Sequence, residues 1–357
     1  MTNQLAKAVF GATVLVATGL ISGLVWADCD DAGHQLGDRS GGSQSKSIEP
    51  TLGSPQVVLE DQAPSSQTEF GSLFPSTDAE RELNQMLHER DENIDLALAN
   101  WLIATDIPEF RDLTREAYFT ELDAMTERVH QDMQRMQRVG WHGANPNDPD
   151  TRCCRFCSAI IRLRLTYTEE FRQEDLTPAQ TKALYSDANN IFLAGLLRGR
   201  HGSCVSMPLV YLVIGQRLGL PVHLVTVGKH YFIRWEERGY RMNIEPTITE
   251  KIAMTPDDSV YLEIEGMTSS QLTGNQMRDL TNREVVGNLL YTRSAYWATK
   301  GTEYTVRQCA DLAWARRLAP DDPAIETTQR AVFHSYGLNP ECSLTDITQR
   351  IGRIRHE

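Results

Sequence analysis

Three side chains in one stretch could together do chemistry: the thiol of Cys204, the imidazole of His230 and the carboxylate of Glu245. In that order they can supply a nucleophile, a base, and a group that orients the base. A thiolate formed this way attacks a glutamine or peptide carbonyl and gives a thioester, which an amine or water then resolves. Asn243 stands two residues before Glu245, on the same face of an extended strand, and is the alternative orienting group. The neighbouring candidates read differently. His201 falls in a loop, His223 lies inside an apolar run and reads as core, and Tyr231 and Trp235 alternate away from His230 toward the core.

The elements that must position these groups are legible nearby. Leu209, Val210, Leu212, Val213 and Leu218 cover most of a helix circumference, so that helix is expected to be buried. Pro208 is tolerated only in a first turn, which sets the helix start close to Cys204. Gly219 reads as a left-handed cap and Pro221 forbids continuation. Cys204 is therefore expected at a helix N-terminus, where backbone N–H groups lower a thiol's pKa and can hold an oxyanion. Residues 222–227 and 230–235 read as strands joined by Gly228-Lys229, and residues 240–245 return after the Glu236–Gly239 turn.

Gly202-Ser203-Cys204, Arg217-Leu218-Gly219-Leu220-Pro221-Val222, Gly228-Lys229-His230 and Asn243-Ile244-Glu245-Pro246-Thr247 resemble the transglutaminase-like superfamily, and within it the bacterial SirB-type branch. The resemblance runs from about Ile94 to Gly337. It implies an α+β, papain/transglutaminase-like core, a buried Cys-bearing helix against an antiparallel sheet, with helical N-terminal and C-terminal parts. It also implies a Cys-His-Asp triad, from which this chain departs by carrying Glu245 at the third position. Relatives of this branch often end in tetratricopeptide-like helices.

The net charge of −13 argues against nucleic acid as a partner, since phosphate binding needs a basic face. A protein or peptide substrate is expected instead. No Gly-rich phosphate loop, zincin motif or calcium loop occurs, so no cofactor is inferred and no metal ligands are assigned. Cys153, Cys154 and Cys157 cluster among Arg152, Arg155 and Arg162. They are compatible with a disulfide, with unpaired structural thiols or with a metal, although a lone C-x-x-C is a weak metal signal and arginines disfavour a cation.

Residues 8–27 form an uncharged apolar run after Lys7, of a length that suits a membrane anchor or a cleaved signal. With acidic residues following, the remainder is expected outside the cytoplasm, tethered or secreted. Residues 28–77 are polar and Gly/Ser/Pro-rich and read as a disordered spacer. Residues 78–283 read as the transglutaminase-like domain, and residues 284–357 as a helical, tetratricopeptide-like tail. Helical spacing is found over 79–90, 93–105, 113–138, 177–185, 189–197, 284–299 and 304–318. Residues 157–165 fit helix or strand, and residues 260–264 read as a strand. Two function classes follow: a thiol-dependent acyl transferase or peptidase, and a catalytically silent interaction module that uses the tail as its contact surface.

Overall fold

Short polar side chains open most of the helices by accepting the first free backbone N–H groups. Thr77, Asp95, Thr114 and Asp148 do so for α1 (Asp78–Met86), α2 (Leu96–Ala104), α3 (Arg115–Arg138) and α4 (Pro149–Ile161). The short strand β1 (Thr166–Tyr167) follows. Thr177 and Asp187 then cap α5 (Pro178–Ser186) and α6 (Ala188–Ile191), and α7 (Leu193–Gly199) leads into strand β2 (His201–Gly202). The computed structural model describes residues 77–143, 145–168, 176–228, 230–247 and 255–354.

The centre is helix α8 (Met207–Arg217) packed on an antiparallel sheet of β3 (Val222–Val227), β4 (His230–Glu237) and β5 (Tyr240–Ile244), in the order β3-β4-β5. Gly215 makes this contact possible: a Cβ there would lie 2.0 Å from Val222 Cγ2. Gly219, at φ +63°, ends the helix in the left-handed conformation that glycine adopts without strain. Arg238 and Gly239, at φ +52° and +81°, form a tight turn with φ positive at both central residues, which matches the twist of the flanking strands. The register sets Val227 opposite His230 and Ile233 opposite Ile244. One side of the sheet gives Leu224, Ile233, Trp235 and Ile244 to the main core. Val225, Val227 and Phe232 form a second cluster with Tyr261 of α9 (Asp258–Ile264). The fold is thus α+β, as expected.

The C-terminal helices are α10 (Asn282–Lys300), α11 (Thr305–Leu318), α12 (Pro323–Ser335) and α13 (Leu344–Ile354). Helix α10 forms a hairpin with α11 and also packs against α2 and α5. Arg293 of α10, buried, is held bidentately by Asp311 of α11 at 2.7 and 2.8 Å and donates to Ile103 O of α2 at 3.1 Å. Trp297 Nε1 adds a bond to Asp311 at 3.1 Å.

Several expectations need correction. Residues 260–264 are helical rather than extended. The β-branched and aromatic residues suited a strand, but Asp257 stands in extended conformation at the helix start and Tyr261 turns onto Phe232, with ring centroids 3.9 Å apart. The single helix expected over 189–197 breaks at Phe192 (φ −112°, ψ 147°). The break lets α7 cross α6 so closely that a Cβ on Gly195 would sit 2.3 Å from Asn189 Cα. Residues 157–161 are the end of α4, a helix. His223 is not core: its side chain is 38% exposed and 3.9 Å from Asp279. The six described cysteines are all thiols, so no disulfide forms in the 153–157 cluster. The membrane and localisation expectations are also withdrawn. Among the described residues no helix is long and apolar enough to cross a membrane, and the apolar run 8–27 and the spacer up to residue 76 lie outside them.

The Arg293–Asp311 pair is expected to fasten α10 and α11 to α2. Removing one partner of a buried pair leaves an uncompensated charge, at a cost of about 3–5 kcal/mol. Asp311→Ala should therefore lower the urea midpoint sharply, whereas a double change to Arg293→Met and Asp311→Leu should recover most of the loss. An unchanged midpoint for Asp311→Ala would show that the pair does not hold these helices.

Candidate active site

The loop carrying Cys204 is built on Asn190. Ser203 Oγ and Ser206 Oγ both donate to the Asn190 carbonyl, at 2.8 and 2.7 Å. The same hydroxyls accept the backbone N–H groups of Val205 and Ser203, at 3.2 and 3.1 Å. Gly202 permits the close approach, since a Cβ there would lie 2.6 Å from Ser206 Oγ. Ser206 is the N-cap of α8, so Cys204 sits just before the helix, buried at 3% exposure. Its thiol does not have the lowered pKa expected of a helix start. Burial, and then the charge of Glu245, push it up to about 12, against a smaller opposing effect of the Tyr167 hydroxyl.

His230 opens β4 and Glu245 follows β5, and the β4–β5 register brings them together on the face covered by α9. His230 Nε2 lies 2.7 Å from Glu245 Oε2, with both side chains buried. Glu245 Oε1 accepts from Thr247 N at 3.0 Å and Thr247 Oγ1 at 2.6 Å. Tyr261 stacks over the imidazole, with ring centroids 5.7 Å apart. His230 Nδ1 is buried with no hydrogen-bond partner. Burial alone lowers the pKa of His230, but the charge and hydrogen bond of Glu245 outweigh it and hold the group above its ordinary value.

Asn243 does not join this group. It accepts from Arg234 Nε at 2.9 Å and donates to Asp258 Oδ1 and Pro256 O, at 2.7 and 3.0 Å. Arg234, fully buried, claims it. His201 is in β2 with Nδ1 2.9 Å from Gly199 O, Trp235 is core, and Tyr231 is partly buried with its hydroxyl on Asn288 Oδ1 at 3.0 Å.

Sequence reasoning missed Tyr167. β1 pairs in parallel with β2, setting Tyr167 opposite Gly202, and its buried hydroxyl lies near enough to Cys204 to oppose the rise of the thiol pKa. A two-residue strand leaves no periodicity to read, and its partner lies 35 residues away in the chain, as Thr166 opposite His201 shows. Among the described residues, the three potential metal ligands that converge are His142, Asp150 and Cys154, a different group from this one.

The pairing has a titration signature. With its folded pKa raised, the His230–Glu245 pair stabilises the fold fully below the unfolded value near 6.5 and loses that contribution as pH rises through the folded value. Glu245→Gln removes the charge and leaves burial dominant, so His230 should then titrate below 6.5. Imidazole chemical shifts followed across pH will check this; an unchanged midpoint in Glu245→Gln would mean that Glu245 does not set the charge of His230.

Residues 116–291, which span α3 to most of α10 and include Tyr167, Cys204, His230 and Glu245, match the family model described as the transglutaminase-like superfamily. Among curated proteins, F-box only protein 21 of Mus musculus is 24% identical over 179 residues, covering 48% of this chain and 28% of that protein. The protein of the same name from Homo sapiens is 25% identical over 179 residues, with the same coverage, and that of Pongo abelii 26% over 174 residues, 47% of this chain and 27% of that protein. This chain therefore spans little more than a quarter of the curated relatives' length. No solved structure gives a significant match. Residues 116–291 thus carry a transglutaminase-like core on an α+β fold.

Proposed function

We propose that this protein is a thiol-dependent acyl transferase or hydrolase acting on a glutamine or peptide carbonyl, with Cys204 as nucleophile, His230 as base and Glu245 as orienting acid. The observation that carries the reading is the buried imidazole of His230, held at 2.7 Å by Glu245 through Nε2 and left unpartnered at Nδ1. A buried polar nitrogen without a partner is costly, and such atoms concentrate at functional sites.

With its Nε2 proton facing Glu245, neutral His230 takes the Cys204 proton on Nδ1. Glu245 then stabilises the imidazolium. The thiolate sulfur forms a bond to the carbonyl carbon, and the oxygen becomes an oxyanion. On this reading the backbone N–H of Cys204 and the hydroxyl of Tyr167, near the thiol, serve as its donors. Collapse breaks the carbon–nitrogen bond, and ammonia or the amine leaves with the proton from His230. An amine or water, deprotonated by His230, then attacks the thioester and releases Cys204. Glutamate serves at the third position as aspartate would, because the role needs one fixed oxygen on Nε2, and Thr247 fixes the other.

A second reading, a catalytically silent interaction module, is favoured by one feature: the Cys204 thiol is buried and its pKa pushed up to about 12, so the resting sulfur is neutral. The two readings separate by experiment. Single-turnover acylation with an activated glutamine ester, read by intact mass, should modify Cys204 and fail in Cys204→Ala and His230→Ala. Glu245→Gln loses a charge-assisted hydrogen bond of about 1.5–3 kcal/mol, roughly one to two decades in rate. Tyr167→Phe should also slow acylation, whereas Asn243→Ala should act on stability rather than on the chemical step. Absence of any Cys204 adduct in the wild type, with the fold intact, would leave the interaction module as the function.

A further inference from the structure

A second cluster of reactive side chains lies at the start of α4, unrelated to Cys204. His142 Nε2 is 3.1 Å from Asp150 Oδ2, and Cys154 Sγ is 4.0 Å from Asp150 Oδ1. The potential ligand atoms of all three residues lie within 4.8 Å of one another. Tetrahedral zinc with ordinary bond lengths needs a nitrogen–oxygen edge of about 3.3 Å and an oxygen–sulfur edge of about 3.6 Å. The two short contacts fall on different oxygens of Asp150, and the set with one ligand atom from each residue spreads up to 4.8 Å, wider than those edges. Metal binding would draw the three side chains together by rotation about their side-chain torsions.

The backbone is arranged to deliver these groups. Asp150 and Cys154 stand four residues apart on α4, and so on one face of it. His142 comes from the preceding turn in the left-handed conformation, at φ +59°. That turn is tied to α4 by three hydrogen bonds. Thr151 Oγ1 donates to His142 O at 3.0 Å, and buried Arg155 donates to Trp141 O and Gly143 O at 3.1 and 2.8 Å. Tyr240 of β5 donates to Asp150 Oδ1 at 2.7 Å, a partner of the kind that orients a ligating carboxylate.

The electrostatics also suit a cation. Asp148, whose Oδ2 accepts from Thr151 N at 2.9 Å, is near enough to act electrostatically on both His142 and Cys154. The arginines that argue against a metal in the sequence are engaged elsewhere. Arg152 pairs with Glu237, Arg155 is spent on the two carbonyls, and Arg162 faces Asp132 at 3.5 Å. Nitrogen, carboxylate and thiolate together select zinc or a neighbouring transition metal over magnesium or calcium.

We propose that His142, Asp150 and Cys154 form a three-ligand site for a divalent transition metal, Zn²⁺ foremost, with its fourth position open to water. Binding releases the Cys154 proton and joins the 140–143 turn to α4. The proposal does not depend on the chemistry of Cys204.

The test uses the full chain, untagged, reduced and stripped of metal, titrated with Co²⁺ as a spectroscopic stand-in and then with Zn²⁺. The expected result is one equivalent of Co²⁺ with a sulfur-to-cobalt charge-transfer band, displaced by Zn²⁺. Cys154→Ser should abolish that band, and His142→Ala and Asp150→Asn should each weaken Co²⁺ binding by at least about tenfold, with unchanged circular dichroism. No saturable uptake in the wild type would overturn the proposal. So would a cobalt–thiolate band that survives in Cys154→Ser, which would assign the metal to Cys153 and Cys157 instead.

Discussion

Burying two opposite charges together is expensive unless their remaining hydrogen-bonding capacity is satisfied, and the His230–Glu245 pair is where this fold meets that constraint. Glu245 is 1% exposed and His230 3%. Glu245 is supplied with Thr247 N and Thr247 Oγ1 on one oxygen and His230 on the other. That arrangement exists only if β4 and β5 keep their register, because a slip of one residue would turn either side chain to the opposite face. The tight turn at Arg238-Gly239, the Arg234–Asn243–Asp258 network and the stacking of Phe232 on Tyr261 all act to hold that register.

The same low-polarity surroundings act in opposite senses on the two reactive groups. Burial penalises any charge, so it raises the Cys204 thiol and, by itself, lowers the His230 imidazole. Glu245 reverses the second effect and reinforces the first. The result is a neutral Cys204 thiol and a buried histidine–carboxylate pair. On the proposed reading, acylation proceeds by proton transfer to His230 as the sulfur attacks, not from a standing thiolate. Tyr167 fits that picture, since its hydroxyl acts to lower the Cys204 thiol, where negative charge would move.

The α+β architecture was legible because it rests on local signals: Pro208 and Gly219 bracket α8, and Gly228 and Gly239 mark the strand ends. Strand alternation put Asn243 and Glu245 on one face but could not choose between them. The choice is made by Arg234, a charged residue in an apolar strand whose burial depends on partners from α9 and residues 277–279. The helix at 258–264 and the break at Phe192 were hidden for a like reason, since both answer to distant packing. The lowered thiol expected from the position of Cys204 at a helix start failed because that effect is smaller than full desolvation beside a carboxylate. The convergence of His142, Asp150 and Cys154 at α4 was obscured because His142 lies eight residues before Asp150 and outside the cysteine cluster.

The most direct measurement of the central claim is the rate of Cys204 alkylation by iodoacetamide across pH, in the wild type and in His230→Ala, read by peptide mass. If His230 is the base for Cys204, the wild-type rate rises through the titration of the imidazole well below the thiol's own pKa near 12, and that inflection is absent from His230→Ala. Superimposable profiles for the two proteins, with reactivity rising only as the free thiol ionises, would contradict it.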